Sequence, residues 1–263
     1  MLDHLGKQEN IFEIKINTNG TFLSEKICHS IFKNKFSQVI ISADHYIKKD
    51  YDEYIINRDL GFHRLSGYQI ADSSYGIIVL PGYYPRGWTT KGFEWAEPLH
   101  ELSKFKVPIW LYRYDWDQCP EQITKDYNEV MNEFVMENPY LDSIWVMGHS
   151  YGGLITALFA EQWTQSTPIT AHSIAAALAG TDRSKSTCNF FKETGYFISD
   201  NVNFTQWRTV HEQDGAFKRM ETDPQITTLY GGTYVDLPKN WGDLRLGHNL
   251  SIKWVCKSLL NTL

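Results

Sequence analysis

The run from Ile144 to Ala160, IWVMGHSYGGLITALFA, constrains this chain more than any other stretch. Ile144, Trp145, Val146 and Met147 form an apolar run of buried-strand length, and Leu154, Ile155, Leu158 and Phe159 recur at helical spacing. A strand is therefore expected to turn directly into an amphipathic helix, with Ser150 in the turn. Gly148 and Gly152 flank the serine, where a missing Cβ lets the chain fold back tightly and hold the serine strained and exposed. The Tyr151 N–H then lies at the helix start, aimed at the place where an oxyanion would form. Gly-x-Ser-x-Gly is short enough to arise by chance; the strand before it and the helix after it are what make it a nucleophile elbow.

The same strand-then-helix rhythm extends from Tyr75 to the end. Gly76 to Leu80 is a continuous apolar run, followed by the loop Pro81-Gly82-Tyr83-Tyr84-Pro85-Arg86-Gly87. Trp95, Leu99 and Leu102 mark a helix with Pro98 tolerable near its start, and Val107 to Leu111 the next strand. Ile123, Tyr127, Val130, Met131, Phe134 and Val135 mark a long helix between Pro120 and Pro139. After the elbow, strands are expected over Ile169 to Leu178 and Gln206 to His211, and then over Thr227 to Tyr230 or Tyr234 to Leu237. A terminal helix carries Ile252, Val255, Cys256 and Leu259. This alternation predicts an α/β fold: a mostly parallel central sheet flanked by helices on both faces, with a small cap at most.

At 263 residues the chain is read as one domain. Residues 1 to 70 supply leading antiparallel strands or a small N-terminal extension. Phe12, Ile14 and Ile16, then Asn19-Gly20 and Phe22, suggest a β-hairpin, and Val39 to Ile41 another strand. Residues 181 to 205, with Phe190, Phe191, Tyr196 and Phe197, are the size of a small cap.

A net charge of −6 without a basic run argues against a nucleic-acid partner. Cys28, Cys119, Cys188 and Cys256 are scattered with neither CxxC nor His/Cys ligand spacing, so reduced thiols are expected and no metal site is signalled. The first residues lack an apolar signal core, and no run approaches the roughly 20 apolar residues of a membrane helix. A soluble, cytoplasmic protein without an integral membrane segment is the expectation. Its oligomeric state is not legible.

A serine hydroxyl needs a base to take its proton, usually a histidine oriented by a carboxylate. In open α/β sheets these groups follow the carboxyl ends of strands, here those after Ser150. His172 falls within an expected strand and His211 at the end of one, where structural histidines are commoner. His248 lies in a loop before the last helix and is the only histidine after the best acid, Asp214. Asp182 is the rival acid, and Asp236 and Asp243 crowd the histidine's own loop. Gly82 allows close approach to the elbow, so the Tyr83 amide is the candidate second oxyanion donor beside Tyr151. His149 is expected to pack structurally.

Residues 76 to 263 resemble the α/β-hydrolase superfamily on its serine esterase and lipase side. Gly148-His149-Ser150-Tyr151-Gly152-Gly153 is similar to its nucleophile elbow, His211-Glu212-Gln213-Asp214-Gly215 to its acid loop and Gly247-His248 to its histidine loop. Tyr114-Asp115-Trp116 resembles a segment that follows a strand in some lipases. Many members have His-Gly where this chain has Pro81-Gly82. The resemblance implies attack of Ser150 on an acyl carbonyl, an acyl-enzyme, and water activated by His248, with no cofactor. Tyr83, Tyr84, Trp88 and Trp116 suit core or rim equally well; at the site they would favour an uncharged or fatty acyl group on a small-molecule ester. Thioester hydrolysis and acyl transfer use the same triad, and a non-catalytic hydrolase-like binding module is the reading from another class.

Overall fold

The computed structural model describes residues 59–84 and 93–261, together with the backbone of two short strands nearer the N-terminus. Two compact units divide the chain, Met1–Lys49 and Asp50–Leu263. In the first, β1 (Lys15–Thr18) pairs in parallel with β2 (Gln38–Ile41). The strand expected at Val39 to Ile41 is therefore present. The partner found for β1 is β2, and the second arm of the expected Asn19-Gly20 hairpin lies outside the described residues.

The second unit is built on a seven-stranded sheet. In chain order its elements are β3 (Gly61–Arg64), β4 (Tyr75–Leu80), α1 (Phe93–Ser103), β5 (Ile109–Arg113), α2 (Pro120–Glu137), β6 (Ser143–His149), α3 (Tyr151–Gln162) and β7 (Ile169–Ile174). There follow α4 (Asp182–Cys188), β8 (Tyr196–Phe197), β9 (Val202–Arg208), β10 (Leu229–Tyr230), β11 (Gly232–Asp236), β12 (Asn240–Trp241), β13 (Leu244–Arg245) and α5 (Leu250–Leu260). The main sheet runs β11-β9-β7-β6-β4-β5-β3, parallel except for β3, which pairs antiparallel with β5. β8 with β10 and β12 with β13 form separate two-stranded ladders.

Strand order and handedness place the helices. The chain steps one way from β4 to β5 and the other way from β5 to β6 and on to β7. Right-handed crossovers therefore put α1 on one face and α2 and α3 on the opposite one. The packing agrees, with α1 against α5 and α2 against α3. Ile77, Ile78, Val79 and Leu80 of β4 are fully buried, as are Ile144, Val146 and Met147 of β6, because a sheet covered on both faces needs apolar side chains on both.

Several expectations are corrected in detail. α3 is not amphipathic: every residue from Gly152 to Ala160 is buried, since the helix is clasped between sheet, α2 and the segment around β8. Pro98 lies inside α1 rather than near its start. β7 ends at Ile174, where Ala175 takes a positive φ of 47° and turns the chain away. The strand expected over Gln206 to His211 is β9, which stops before His211, and that histidine lies in a short 3-10 turn (His211–Gln213). Of the two segments weighed for the last strand, Leu229–Tyr230 joins a small ladder, and β11 takes the sheet edge.

The expectation of reduced thiols is overturned. Cys119 and Cys188 form a disulfide across 69 residues of sequence, their Cα atoms 5.5 Å apart. No spacing rule signals such a pair, because it is the fold that brings the start of α2 beside the end of α4. Closing a loop of this length removes about 4 kcal/mol of unfolded-chain entropy by the loop-closure model. Cys256 is free and buried in α5.

Candidate active site

The elbow forms where β6 gives way to α3. Ser150 adopts φ 54° and ψ −116°, a conformation that costs a non-glycine residue of order 1–3 kcal/mol and persists only when its surroundings enforce it. The enforcing contacts are specific. Ser150 N–H donates to the Ile174 carbonyl of β7 at 2.9 Å, and Leu154 N–H donates to the Ser150 carbonyl at 3.1 Å. A Cβ on Gly148 would overlap the Gly152 carbonyl and Thr156 Oγ1, and one on Gly152 would overlap the Leu80 and Pro81 carbonyls. Both glycines are thus required by close approach, and the end of β4 rests directly on the first turn of α3.

That contact also sets the loop after β4. A Cβ built on Gly82 would lie 3.2 Å from the Ser150 Cβ, so the Gly82-Tyr83 segment passes beside the serine. The hydroxyl of Tyr114, just beyond β5, donates to the Pro81 carbonyl at 2.5 Å and fixes the loop from the other side. Tyr151 is the first residue of α3, where a helix leaves its leading N–H groups without intrahelical acceptors. Tyr83 and Tyr151 both line the same cavity as Ser150. Of the four aromatics for which site, core and rim are all open, Tyr83 and Trp116 line the cavity, while Tyr84 is core, edge-on to Trp116 at 5.0 Å. Trp88 lies outside the described residues.

The acid and histidine loops meet on the same side of the sheet. Asp214 is fully buried and accepts from His248 Nδ1 at 3.0 Å, Thr209 Oγ1 at 2.5 Å, Ala216 N–H at 2.8 Å and Phe217 N–H at 3.2 Å. Burial alone pushes its carboxyl pKa up, but the hydrogen bonds and charge of His248, with Thr209 and Ala216, outweigh this and hold it below the usual value. The acid loop is braced behind by Gln225, whose Oε1 accepts from the Thr209 N–H at 2.9 Å. The rival acids fall elsewhere on the surface: Asp182 opens α4 and is exposed, as are Asp236 and Asp243.

His248 is held on three sides. Its Nδ1 faces Asp214, the Phe217 ring meets it edge-on at 5.1 Å, and the His149 ring lies 4.6 Å away. His149 Nε2–H donates to the His248 carbonyl at 3.1 Å. Since His149 immediately precedes Ser150, this bond ties the histidine loop to the elbow. Burial, then the nearby His248, drives the His149 pKa well below 6.5, so the ring stays neutral and serves as a brace. With Nδ1 engaged by Asp214, the nitrogen of His248 left to take a proton is Nε2.

His172 and His211 are engaged elsewhere. His172 accepts from Trp207 Nε1 at Nδ1 (3.2 Å), and burial lowers its pKa to about 4. His211 Nε2 donates to the Phe217 carbonyl at 2.9 Å. Sequence reasoning missed the parts played by Tyr114, Thr209, Gln225 and the disulfide. Of these only Tyr114 carried a signal, in the Tyr-Asp-Trp segment after β5.

No family model and no curated protein matches the sequence. Solved structures do match the fold. A protein from Silicibacter sp. TM1040, provisionally assigned as a thioesterase, aligns with a TM-score of 0.53 at 13% identity, covering 90% of this chain and 92% of its own. Est1E from Butyrivibrio proteoclasticus with ferulic acid bound gives 0.51 at 10% identity, covering 77% and 95%. The chain has the α/β-hydrolase fold. A lidless α/β serine hydrolase from Xanthomonas campestris aligns at 0.50 with 13% identity, over 76% and 86%. In this α/β-hydrolase fold the cavity beside Ser150 is about 220 Å³. Apolar Leu154, Ala177 and Phe217 line it with Arg183, Thr187 and Cys188 from the α4 side. Among the described residues, no group of three or more His, Cys, Asp or Glu is placed to hold a metal, and no helix is long and apolar enough to cross a membrane.

Proposed function

We propose that this protein is a serine hydrolase that cleaves a small-molecule carboxylic ester through an acyl-enzyme on Ser150. The observation that carries the reading is a buried, hydrogen-bonded Asp214 carboxylate on His248 Nδ1, in a loop tied by His149 to a strained Ser150. In this reading Ser150 Oγ attacks the acyl carbonyl while His248 Nε2 takes its proton, and Asp214 holds the imidazole in the required tautomer. The Tyr83 and Tyr151 N–H groups receive the oxyanion. The proton on His248 passes to the departing alcohol. Water, deprotonated in turn by His248, then releases the acid and regenerates the serine.

A cavity of about 150 Å³ accepts benzene, so the 220 Å³ here suits a one-ring or medium-chain acyl group. Turnover of p-nitrophenyl esters is expected to rise from acetate to hexanoate and to fall by dodecanoate, when the chain outgrows the cavity. Absence of turnover across the series would remove the esterase reading. A thioester in the same series tests the reading favoured by the Silicibacter neighbour, since the same groups can attack either carbonyl. The Cys119–Cys188 bond takes away the ground for a cytoplasmic location and suits an oxidising compartment.

A further inference from the structure

The cap over the cavity is held in an unusual way. α4 supplies Arg183, Ser184, Thr187 and Cys188 to the cavity lining, yet none of its residues is buried. A helix without an apolar face in the core draws nothing from hydrophobic packing. Its own ends are well made: Thr181 and Ser184 form a capping box, and Asn189 closes the C-terminus at φ 51°. These caps set its length but do not fix its distance from the opposite wall.

Among the described residues, two direct contacts span that distance. Near the N-terminal end, Arg183 lies 4.7 Å from the Tyr83 ring centroid and donates to the Tyr83 hydroxyl at 3.0 Å, an exposed interaction open to competition from water. At the C-terminal end, Cys188 is bonded to Cys119, the N-cap residue of α2. α2 is itself anchored through buried Ile123, Tyr127, Met131 and Phe134. The disulfide thus connects a helix with no packed face to one that is firmly in the core.

We propose that the Cys119–Cys188 disulfide is the specificity element of this site, holding α4 as a fixed second wall against the acyl groups that fill the cavity. The proposal rests on the ester-hydrolase reading above. An acetyl group stays near Ser150 and hardly feels this wall, whereas a hexanoyl group lies between it and Leu154 and Phe217. Loosening the wall costs the longer acyl group its contacts and leaves the shorter one with little to lose.

The test compares kcat/KM for p-nitrophenyl hexanoate with that for the acetate in wild type and Cys119→Ser, which breaks the bond while leaving the cavity-lining Cys188 in place. The hexanoate-to-acetate ratio is expected to fall about tenfold in the variant. A ratio within twofold of wild type, in a variant that still folds, overturns the proposal. Should the variant not fold, wild type treated with dithiothreitol decides. The reagent gives up two electrons and two protons, the S–S bond becomes two thiols, and the reagent closes to its cyclic disulfide. Once two additional thiols titrate, the ratio should drop and should recover on reoxidation; an unchanged ratio overturns the proposal. Failure of the underlying reading is seen separately, as wild type turning over neither ester.

Discussion

His248→Ala is expected to lower kcat on an ester substrate by about 10⁶-fold, the loss seen when a triad histidine is removed, while the protein stays folded. The reason lies in which bonds survive. In the proposed mechanism the neighbouring His149 does not stand in for the lost imidazole, because burial keeps it neutral and it spends its Nε2–H on the His248 carbonyl. Asp214 loses one donor but keeps Thr209 Oγ1 and the Ala216 and Phe217 N–H groups, so its buried charge is not abandoned. Asp214→Asn should cost about 10⁴-fold, since an amide of the same shape no longer enforces the tautomer that leaves Nε2 free to accept. Steady-state kinetics alongside thermal melts check both. An undiminished kcat in folded His248→Ala excludes it as the base.

Gly152→Ala carries the second large effect, on stability. Within a helix this substitution normally stabilises, by up to about 1 kcal/mol in the interior, because alanine has the better propensity. Here the new Cβ is driven into the Leu80 and Pro81 carbonyls, which are backbone atoms of the last residue of a central strand and the residue after it and cannot swing aside as a side-chain end can. Overpacking against such a wall should destabilise by about 3 kcal/mol or more, reversing the sign expected from propensity. Gly215→Ala is the internal comparison. Nothing lies within 4 Å of a Cβ there, so it should shift stability by no more than about 0.5 kcal/mol. Urea unfolding of the two variants measures the contrast, and equal midpoints would refute the account of the elbow's packing.

The elbow was readable in the sequence because two short-range signals converge there, an apolar strand and a pair of glycines around a serine. The alternation from Tyr75 onward was readable for a related reason: strands buried on both faces are continuous apolar runs, and the helix α2 shows its period plainly through Ile123, Tyr127, Met131 and Phe134. Chain order after the elbow singled out Asp214 and His248, which the fold brings to 3.0 Å. What escaped the sequence is tertiary in origin. Full burial of α3 depends on what covers its outer side, and its periodicity was read as one apolar face. The pairing of Cys119 with Cys188 depends on α4 being folded back over the cavity. The bracing of His248 by His149 depends on the end of β6 meeting a loop 99 residues further along the sequence.

The most direct measurement is the intact mass and peptide map of the protein after treatment with a fluorophosphonate, which bonds covalently to an activated serine hydroxyl. Wild type should gain one phosphonyl group, mapped to Ser150, and Ser150→Ala should gain none under the same conditions. Labelling that persists undiminished in Ser150→Ala, or folded wild type that gains no mass at all, would contradict the central claim.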